Sequence, residues 1–566
     1  MSPRMPGQPM SRRAFLAPPA VTYQTREQVD FVVIGSGAAG GVMARELSQA
    51  GFSVVVLEQG PYRRATDVSH DEVDITFDKA IAVDDPQTFR PTASDPAETQ
   101  KAPFPPAFYA KTVGGSSAHF TGNYWRFRPI DFQERSVLGA IPGTGLADWP
   151  ISYEDLEPYY TKVDWDVGVS GAPGPNDPPR SRGYPHPPLP VKSSGVLFER
   201  GARALGFNPY PAPMAILSEP RPGRGSCLHC GSCMGFMCEM NAKSSTLASV
   251  IPEAEATGKC EIRAESTVHR IELNDDGRVR EVVYYDRDGV VQAQAAKAVV
   301  LCANGAETPR ILFMSESSGF PQGLANGSGM VGTHLMFNGN GLAHGQFEEP
   351  LNEFKSVQVT RICTDWYDSD PKRGFYGGGG MDGRMMFSQP ILFALTGLPP
   401  DSPAWGPEFR RTLARQFNRT MQIATHSTSL PLATNTVTLD DEVTDQYGRP
   451  GLRVTYKDHP DDLAMVTFLR DRAGEILEAA GATKVWKDPV GEQNVGFHLL
   501  GTCRMGDDPA TSVVDKYHRS HEVRNLFICD GSSLVTSGRG QPTMTIQALA
   551  FRAAEHIAEA ARKGDI

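Results

Sequence analysis

The sequence has no apolar run that could cross a bilayer and no excess of basic residues. A membrane-spanning helix needs about 20 consecutive apolar residues, and no stretch of the 566-residue chain approaches that length. The formal net charge is −11, whereas a protein that binds nucleic acid presents a basic face to the phosphates. We therefore expect no membrane span within this chain and no nucleic-acid partner.

An apolar export segment is also missing near the N-terminus. Residues 11–16 read Ser-Arg-Arg-Ala-Phe-Leu, which resembles a twin-arginine export signal. Such a signal needs an apolar stretch of about 7–15 residues, but the segment that follows, Ala-Pro-Pro-Ala-Val-Thr-Tyr-Gln-Thr-Arg, is too polar. We predict that residues 1–27 form a disordered leader, and a degenerate export signal is the alternative.

Cysteine is scarce outside one short segment. Four of the nine cysteines, Cys227, Cys230, Cys233 and Cys238, lie within twelve residues, and the other five are scattered. A disulfide framework is typical of small, cysteine-dense secreted domains, which this chain does not resemble. The cluster instead indicates a metal or redox site.

The length and composition indicate a multidomain soluble globular protein. The chain is 40% apolar and 21% charged, and it is too long for a single compact core, so two to four domains are expected. The pattern along the chain predicts an α/β fold: a Rossmann-like binding domain built from separated segments, plus a substrate domain with a mostly antiparallel sheet covered by helices. The predicted segments are a leader (1–27), the first part of the binding domain (28–135), a crossing and substrate-domain segment (136–220), the cysteine loop with the second part of the binding domain (221–350), the substrate domain (351–485) and the C-terminal part of the binding domain (486–566).

A dinucleotide-binding motif follows the first predicted strand. Residues 31–34 and 53–57 are short apolar strands with a helical pattern between them. Gly35, Gly37 and Gly40 occupy the glycine positions of the G-x-G-x-x-G fingerprint, which provide a tight turn, close approach to a pyrophosphate and close helix–strand packing. Glu58 ends the second strand, where an acid accepts ribose hydroxyls. This order of elements predicts a bound dinucleotide.

Three elements are predicted in the second half of the chain. Residues 436–439 and 452–456 form a hairpin around a turn at 445–450, a long helix covers about 460–480, and a final helix covers 545–562. Residues 66–110, rich in Asp, Pro and Thr, are interpreted as an irregular excursion.

Later motifs resemble the glucose–methanol–choline (GMC) oxidoreductases. The sequences Gly-Gly-Ser-Ser at 114–117 and Gly-Asn-Tyr-Trp-Arg-Phe-Arg at 122–128 resemble that family's second FAD-contacting segment, and 299–310 resembles its second signature. Residues 498–506 and 530–533 resemble its C-terminal active-site and flavin segments, in family order. The resemblance implies that the dinucleotide is FAD, and it adds these residues to the cofactor site: Gly114, Gly115, Ser116, His119, Asn123, Asp530, Gly531 and Thr543.

His498 and Gln541 occupy the positions of the family's catalytic pair. The resemblance implies that His498 is the base that takes the hydroxyl proton from an alcohol while hydride passes to the flavin. A neutral imidazole suits this role, because its pKa ordinarily lies near the working pH. The family's second residue is His or Asn, so Gln541 is a departure; its amide can still contact the substrate oxygen with one more methylene of reach. The alternatives are a buried structural histidine and a structural glutamine.

His119 has two interpretations. In gluconate dehydrogenases and pyranose oxidases a histidine at the matching place carries the flavin covalently, so the resemblance implies a covalent FAD. Here Phe120 follows His119 where those relatives tend to have Trp, and a non-covalent packing or hydrogen-bonding role is the alternative.

The cysteine spacing C-x2-C-x2-C-x4-C allows an iron–sulfur cluster. Short x2 intervals let several thiolates converge, although the ferredoxin-type run has three residues in its last interval and then a proline. The resemblance to gluconate and fructose dehydrogenase flavoproteins also implies a cluster there. A zinc site is the second reading, and four reduced cysteines in an ordinary loop are the third.

The predicted function is FAD-dependent oxidation of a CH–OH group of a sugar, glycoside or sugar acid. The resemblance implies electron transfer to a cytochrome or quinone partner, and a small subunit that co-exports the folded flavoprotein to the periplasm; a cytoplasmic location is equally open. A soluble glycoside or pyranose oxidase that reduces oxygen to hydrogen peroxide is the alternative. A cyanohydrin lyase and a non-enzymatic flavin protein are weaker readings, since the cysteine cluster has no task in the first and His498 lies in an intact motif.

Overall fold

The computed structural model describes residues 21–74, 81–99, 104–385 and 389–566. Residues 1–20 of the predicted leader lie outside this part of the chain. Within the described residues, no helix is long and apolar enough to cross a membrane.

The fold contains strands and helices in mixed order. The strands are β1 (Val29–Ile34), β2 (Val54–Leu57), β3 (Gln87–Arg90), β4 (Glu98–Thr99), β5 (Tyr210–Pro211), β6 (Cys260–Arg263), β7 (Thr267–Leu273), β8 (Val279–Tyr285), β9 (Val291–Leu301), β10 (Gly339–Gln346), β11 (Val359–Cys363), β12 (Gly379–Arg384), β13 (Thr420–Ser427), β14 (Thr436–Thr444), β15 (Pro450–Thr455), β16 (Lys484–Lys487) and β17 (Leu526–Ile528). The helices are α1 (Ala38–Gln49), α2 (Glu134–Leu138), α3 (Tyr153–Val163), α4 (Ser193–Ala204), α5 (Val250–Glu255), α6 (Asn304–Met314), α7 (Pro390–Thr396), α8 (Gly406–Gln416), α9 (Pro460–Ala479) and α10 (Thr543–Arg562).

The first sheet is assembled from three separated parts of the chain. Strands β6, β2, β1, β9 and β17 are parallel, and the β8–β7 pair extends the sheet through antiparallel pairing with β9. The β1–α1–β2 unit buries both strands, and α1 packs against α10 and α5. Such β–α–β units with apolar strands form a parallel sheet covered by helices. The predicted mixed α/β fold with a segmented Rossmann-like domain is confirmed.

The second sheet is antiparallel and its two faces differ. Its strand order is β16–β10–β13–β12–β11–β5. On one face, Ala343, Met381, Met421 and Ile423 pack against apolar residues of α9. Because successive strand residues point to opposite faces, the residues between them point away from α9, toward the cavity described below.

The third sheet joins the predicted hairpin to the segment interpreted as irregular. Strands β14 and β15 form the hairpin, with Leu439 opposite Leu452. Strand β3 pairs in parallel with β15, and β4 completes the sheet. The 66–110 segment is therefore partly ordered as strands. Strand β3 has only four residues, too few to show a clear alternation of apolar and polar side chains, so the sequence did not predict it. It is ordered by its pairing with β15.

Candidate active site

A cavity of about 860 Å³ lies between the first and second sheets. One wall is formed by residues that follow the carboxyl ends of β1, β2, β9 and β17, the position where open α/β sheets bind dinucleotides. The opposite wall is the α9-free face of β10, β12 and β13. Twelve residues predicted from the sequence line this cavity: Gly35, Gly37, Glu58, Gly115, Ser116, His119, Asn123, His498, Asp530, Gly531, Gln541 and Thr543.

The glycine fingerprint is required by close backbone packing. Gly35 has φ +90°, and a Cβ there would lie 2.6 Å from the Cys302 carbonyl oxygen. A Cβ on Gly40 would lie 1.9 Å from the Gly35 oxygen, which explains why Gly40 packs behind the cavity instead of lining it. Gly37 precedes α1, and the first turn of that helix holds neither a side-chain cap from the described residues nor an acidic residue. Its backbone N–H groups and dipole suit a pyrophosphate.

Glu58 is buried beside this turn and organises it. Oε2 accepts hydrogen bonds from the backbone N–H (3.0 Å) and hydroxyl (2.7 Å) of Ser36, and Oε1 accepts from the Gly60 N–H (2.9 Å). Burial raises the pKa of Glu58, while these hydrogen bonds oppose the rise. Gly114 does not line the cavity either, but its N–H donates to the Ser36 hydroxyl (3.0 Å), which ties the second predicted FAD segment to the first.

Among the described residues, several buried polar atoms in and beside that second segment lack partners, and two of them belong to cavity residues. They are Nε2 of His119 and Oδ1 of Asn123, and both residues line the cavity. Burial, together with the charge of Lys243, lowers the pKa of His119 to about 4, so its ring is neutral at physiological pH. Unsatisfied buried polar atoms are costly, and a bound flavin would satisfy them. The cavity, the glycine turn and these atoms therefore fit an FAD.

Asp530 stands at the end of β17 and is fixed by the start of α6. Its Oδ2 accepts from the Asn304 N–H (3.0 Å) and the Thr308 hydroxyl (2.6 Å), and Oδ1 accepts from the Ser532 N–H (2.8 Å). Burial raises its pKa, and the hydrogen bonds oppose this. This network holds the 530–533 turn in the cavity wall.

The tautomer of His498 is determined by Asn338. The Nδ2 group of Asn338 donates to three backbone carbonyls, those of Ser427 (3.0 Å), Ser537 (3.3 Å) and Gly538 (3.3 Å). The amide oxygen is thereby turned toward Nδ1 of His498, 3.0 Å away. An amide oxygen only accepts, so Nδ1 of His498 carries the hydrogen and Nε2 presents its lone pair. Among the described residues, Nε2 has no hydrogen-bond partner.

The electrostatics of His498 keep it neutral. Burial, with a smaller contribution from His426, lowers its pKa to about 3. This differs from the sequence-based expectation of a pKa near the working pH, because the ring is surrounded by protein and faces no carboxylate. A neutral imidazole with a free Nε2 can accept a proton from a bound hydroxyl.

Gln541 lines the same end of the cavity and contacts a second histidine. Its Nε2 lies 3.3 Å from Nδ1 of His426. His426 donates from its own Nε2 to Asp382 (2.9 Å), which also accepts from Arg384. The predicted pair His498 and Gln541 thus line the same cavity, and His426, which contacts Gln541, also contributes to the lowered pKa of His498.

Both halves of the chain match models of one protein family. The N-terminal GMC oxidoreductase model matches residues 29–336, and the C-terminal GMC oxidoreductase model matches residues 431–550. The chain belongs to the GMC oxidoreductase family. It is an FAD-dependent oxidoreductase, and the family assignment made from the motifs is confirmed.

Relatives extend the GMC match over nearly the whole chain. A 2-methyl-1,2-propanediol dehydrogenase of Mycolicibacterium austroafricanum is 34% identical over 94% of this chain and 95% of its own length. A gluconate 2-dehydrogenase flavoprotein of Pantoea cypripedii is 29% identical over 94% of both chains. Among solved structures, formate oxidase shares the fold with a TM-score of 0.65 and 14% identity, covering 96% of this chain and 100% of that one.

The cysteine loop (residues 227–238) differs from its prediction. Cys233 is buried, Cys230 is exposed, and Cys227 and Cys238 are partly buried. Among the described residues, no group of three or more His, Cys, Asp or Glu side chains is arranged to hold a metal ion. The structure therefore supports neither the iron–sulfur cluster nor the zinc site that the spacing of Cys227, Cys230, Cys233 and Cys238 predicted.

A buried lysine organises this loop. The Nζ atom of Lys243 donates to the carbonyl oxygens of Phe120 (2.9 Å), Cys233 (2.7 Å) and Phe236 (2.6 Å). Burial lowers the pKa of Lys243 to about 8 and raises that of Cys233 to about 12. An ammonium among the loop carbonyls disfavours a second cation there. The loop instead forms cavity wall, since Met234 and Gly235 line the cavity.

Sequence reasoning missed four residues of the His498 end: Asn338, Asp382, Arg384 and His426. All lie between or at the margins of the two family-model matches. A weak signal exists for two of them, because Asp382 and Arg384 are charged residues spaced by two in a strand of Gly and Met. That spacing puts both on one face. Asn338 and His426 carry no local signal.

Proposed function

We propose that this enzyme oxidises a CH–OH group of a small polyhydroxylated substrate, such as a sugar, a sugar acid or a diol. The observation that carries the proposal is the free Nε2 of neutral His498, in a cavity that Gln541 also lines and that fits FAD. When bound, FAD accepts a hydride from the carbon.

The residues of the chain handle the proton and orient the substrate. Nε2 of His498 accepts the hydroxyl proton, and Asn338 holds the ring in the required tautomer. Gln541 contacts the substrate oxygen through its amide. The aromatic rings of Phe108 and Phe497, with centroids 5.2 Å apart, add apolar surface to the cavity wall.

The cavity wall supports a polyhydroxylated substrate. The face of the second sheet presents Asn340, Arg384, Gln422 and His426 to the cavity. The charge of Arg384 is paired with Asp382, so this wall is polar without net charge. Amide and guanidinium groups offer the mixture of donors and acceptors that neighbouring hydroxyls require. The names of the relatives, a propanediol dehydrogenase and a gluconate dehydrogenase flavoprotein, agree with this substrate class.

We further propose that the electrons pass to an acceptor other than oxygen, on a cytochrome or quinone partner. The support is the similarity to the two dehydrogenases, one of which is named as a flavoprotein. His119 is proposed to contact the flavin through its unpartnered Nε2. Acid precipitation tests the type of contact, since a covalent flavin stays yellow with the pellet and a non-covalent flavin is released.

Anaerobic mixing with substrate tests the proposed function. Purified holoenzyme is mixed with 1,2-propanediol, gluconate and a panel of sugars while flavin absorbance is followed. We expect at least one polyol to bleach the flavin, and a quinone analogue to restore it faster than air. Rapid reoxidation by air with peroxide formation would make the enzyme an oxidase. No bleaching by any polyol, diol or sugar would overturn the substrate class.

A further inference from the structure

Asp382 is a buried carboxylate that the proposed proton transfer does not use. It is fully buried in β12 and accepts hydrogen bonds from Nε and Nη2 of Arg384, from Nε2 of His426 (2.9 Å) and from Nδ2 of Asn123 (3.3 Å). Burial alone would raise its pKa, but the charge of Arg384 and the hydrogen bond from His426 lower it to about 2. The group is therefore an ionised, acceptor-only anchor at physiological pH.

The sheet register brings His426 onto this anchor. Gly380 is directly opposite His426, and Asp382 is opposite Ala424, so carboxylate and imidazole are diagonal neighbours on one face. Diagonal cross-strand pairs are within reach of long and aromatic side chains. A Cβ on Gly380 would lie 3.0 Å from the Trp125 ring, which packs edge-on against His426 with centroids 5.4 Å apart.

The anchor determines which nitrogen of His426 faces Gln541. Since ionised Asp382 only accepts, Nε2 of His426 carries a hydrogen. Nη2 of Arg384 and Nε2 of His426 both bond Oδ2 of Asp382 and lie 3.2 Å apart. Nε2 of Gln541 is nearer to Nδ1 of His426 (3.3 Å) than to Nε2 (3.5 Å), so Nδ1, when it carries no hydrogen, accepts from the Gln541 amide. One N–H of the Gln541 amide is thereby turned to His426. Among the described residues, the amide oxygen of Gln541 has no partner.

We propose that His426, held by Asp382, is a positioning residue that orients the Gln541 amide for the substrate oxygen. This inference rests on the proposed function, because it takes the substrate to lie between His498 and Gln541. Glutamine has one more rotatable bond than the family's asparagine, and ordering such a side chain on binding lowers affinity. A hydrogen bond from Gln541 to an anchored imidazole fixes the side chain before substrate arrives. The two imidazoles thus have separate tasks: His498 accepts the proton, and His426 acts through Gln541.

A double-mutant cycle tests this coupling in the holoenzyme. The variants are His426→Leu, Gln541→Ala and the two combined, with kcat/KM for anaerobic flavin reduction as the readout. We expect His426→Leu to lower kcat/KM about 10-fold to 50-fold alone, but less than 3-fold in the Gln541→Ala background, because residues that act as a unit are non-additive. The matched control is His186→Leu, which removes a buried histidine that accepts from Nε of Arg221 (2.8 Å) and does not line the cavity. Equal effects of His426→Leu in both backgrounds would overturn the inference.

A second readout does not depend on turnover. In protein labelled with ¹⁵N-glutamine, the Gln541 side-chain amide is assigned with Gln541→Ala. We expect its resonance to shift in His426→Leu and to stay in place in His186→Leu; an unchanged resonance in His426→Leu would overturn the pairing. If no polyol bleaches the wild-type flavin, the proposed function fails, while the amide resonance still decides whether His426 holds Gln541.

Discussion

Two basic side chains lie at or behind the cavity wall, and their hydrogen bonds differ. Lys243 donates to three backbone carbonyls, which uses all three ammonium hydrogens. Among the residues that the structure describes, His498 bonds Asn338 alone, and the ring lines the cavity. A fully paired buried donor stabilises the fold, whereas a ring fixed on one side and open on the other is arranged for chemistry. The comparison teaches that the number of partners, more than burial or a lowered pKa, separates the two roles, since both residues have a lowered pKa.

The largest effect is expected at His498. Replacing His498 by Ala removes the proton acceptor, and general-base catalysis contributes about 10²–10⁴-fold. We expect the anaerobic rate of flavin reduction to fall within that range, with bound FAD and the melting temperature close to wild type. The rate is measured by stopped-flow absorbance. A decrease below 10-fold would mean that another group takes the proton.

Replacing Lys243 is expected to lower the stability of the fold instead. Lys243→Met leaves three buried carbonyls without a donor, at about 1–3 kcal/mol for each group that water does not reach. We expect the free energy of unfolding to fall by about 3 kcal/mol, measured by urea denaturation of holoenzyme. The control is Lys297→Met, which removes a largely exposed ion pair with Asp30 worth at most about 1 kcal/mol. Equal losses in both variants would erase the distinction drawn between Lys243 and His498.

Asn338 tests whether the single partner of His498 matters. Asn338 has φ +62°, so Asn338→Gly removes the amide without backbone strain. Without the Asn338 oxygen, the imidazole populates the other tautomer and its free lone pair turns from the cavity. We expect flavin reduction to slow about 10-fold to 100-fold. The control, Asn352→Gly, replaces another asparagine with positive φ (+54°), and an equal slowing there would reject the tautomer argument.

The regions differ in how far the sequence could predict them. The β1–α1–β2 unit and its glycines follow from local pattern, because turn geometry and helix polarity act within a few residues. The partners of His498 and Gln541 do not: Asn338 meets His498 across 160 positions and His426 meets Asp382 across 44. Such contacts depend on sheet register, which no local motif specifies.

At the cysteine loop, a local motif predicted a metal site that the structure does not support. Its spacing is compatible with a metal site, but a metal also requires the side chains to converge. The loop carbonyls converge on Lys243 instead, and that lysine lies beyond the cysteine motif. A motif therefore predicts a site reliably where the geometry depends on neighbouring residues, as at Gly35. It is less reliable where a distant side chain determines the loop conformation.

The pH dependence of flavin reduction tests whether burial keeps His498 neutral. Its pKa is lowered to about 3 by burial, so the active neutral form persists as the pH falls below 6.5 and is lost only near pH 3. We expect the rate measured after a rapid pH jump from 7.5 to 5.5 to change less than 2-fold. An unperturbed imidazole with a pKa near 6.5 would lose about 10-fold over this range. An acidic limb near pH 6.5 would contradict the burial argument.

The smallest effect is expected at the exposed cysteine. Cys230 is exposed, and surface substitutions away from special features change stability within about 0.5 kcal/mol. We therefore expect Cys230→Ser to leave the free energy of unfolding, the flavin spectrum and the reduction rate unchanged, and a chelator to leave the melting temperature unchanged. The comparison variant is Cys233→Ser, since the Cys233 thiol is buried. Iron or zinc that is present in wild-type protein and lost with Cys230→Ser would show that the thiols, and not Lys243, organise the loop.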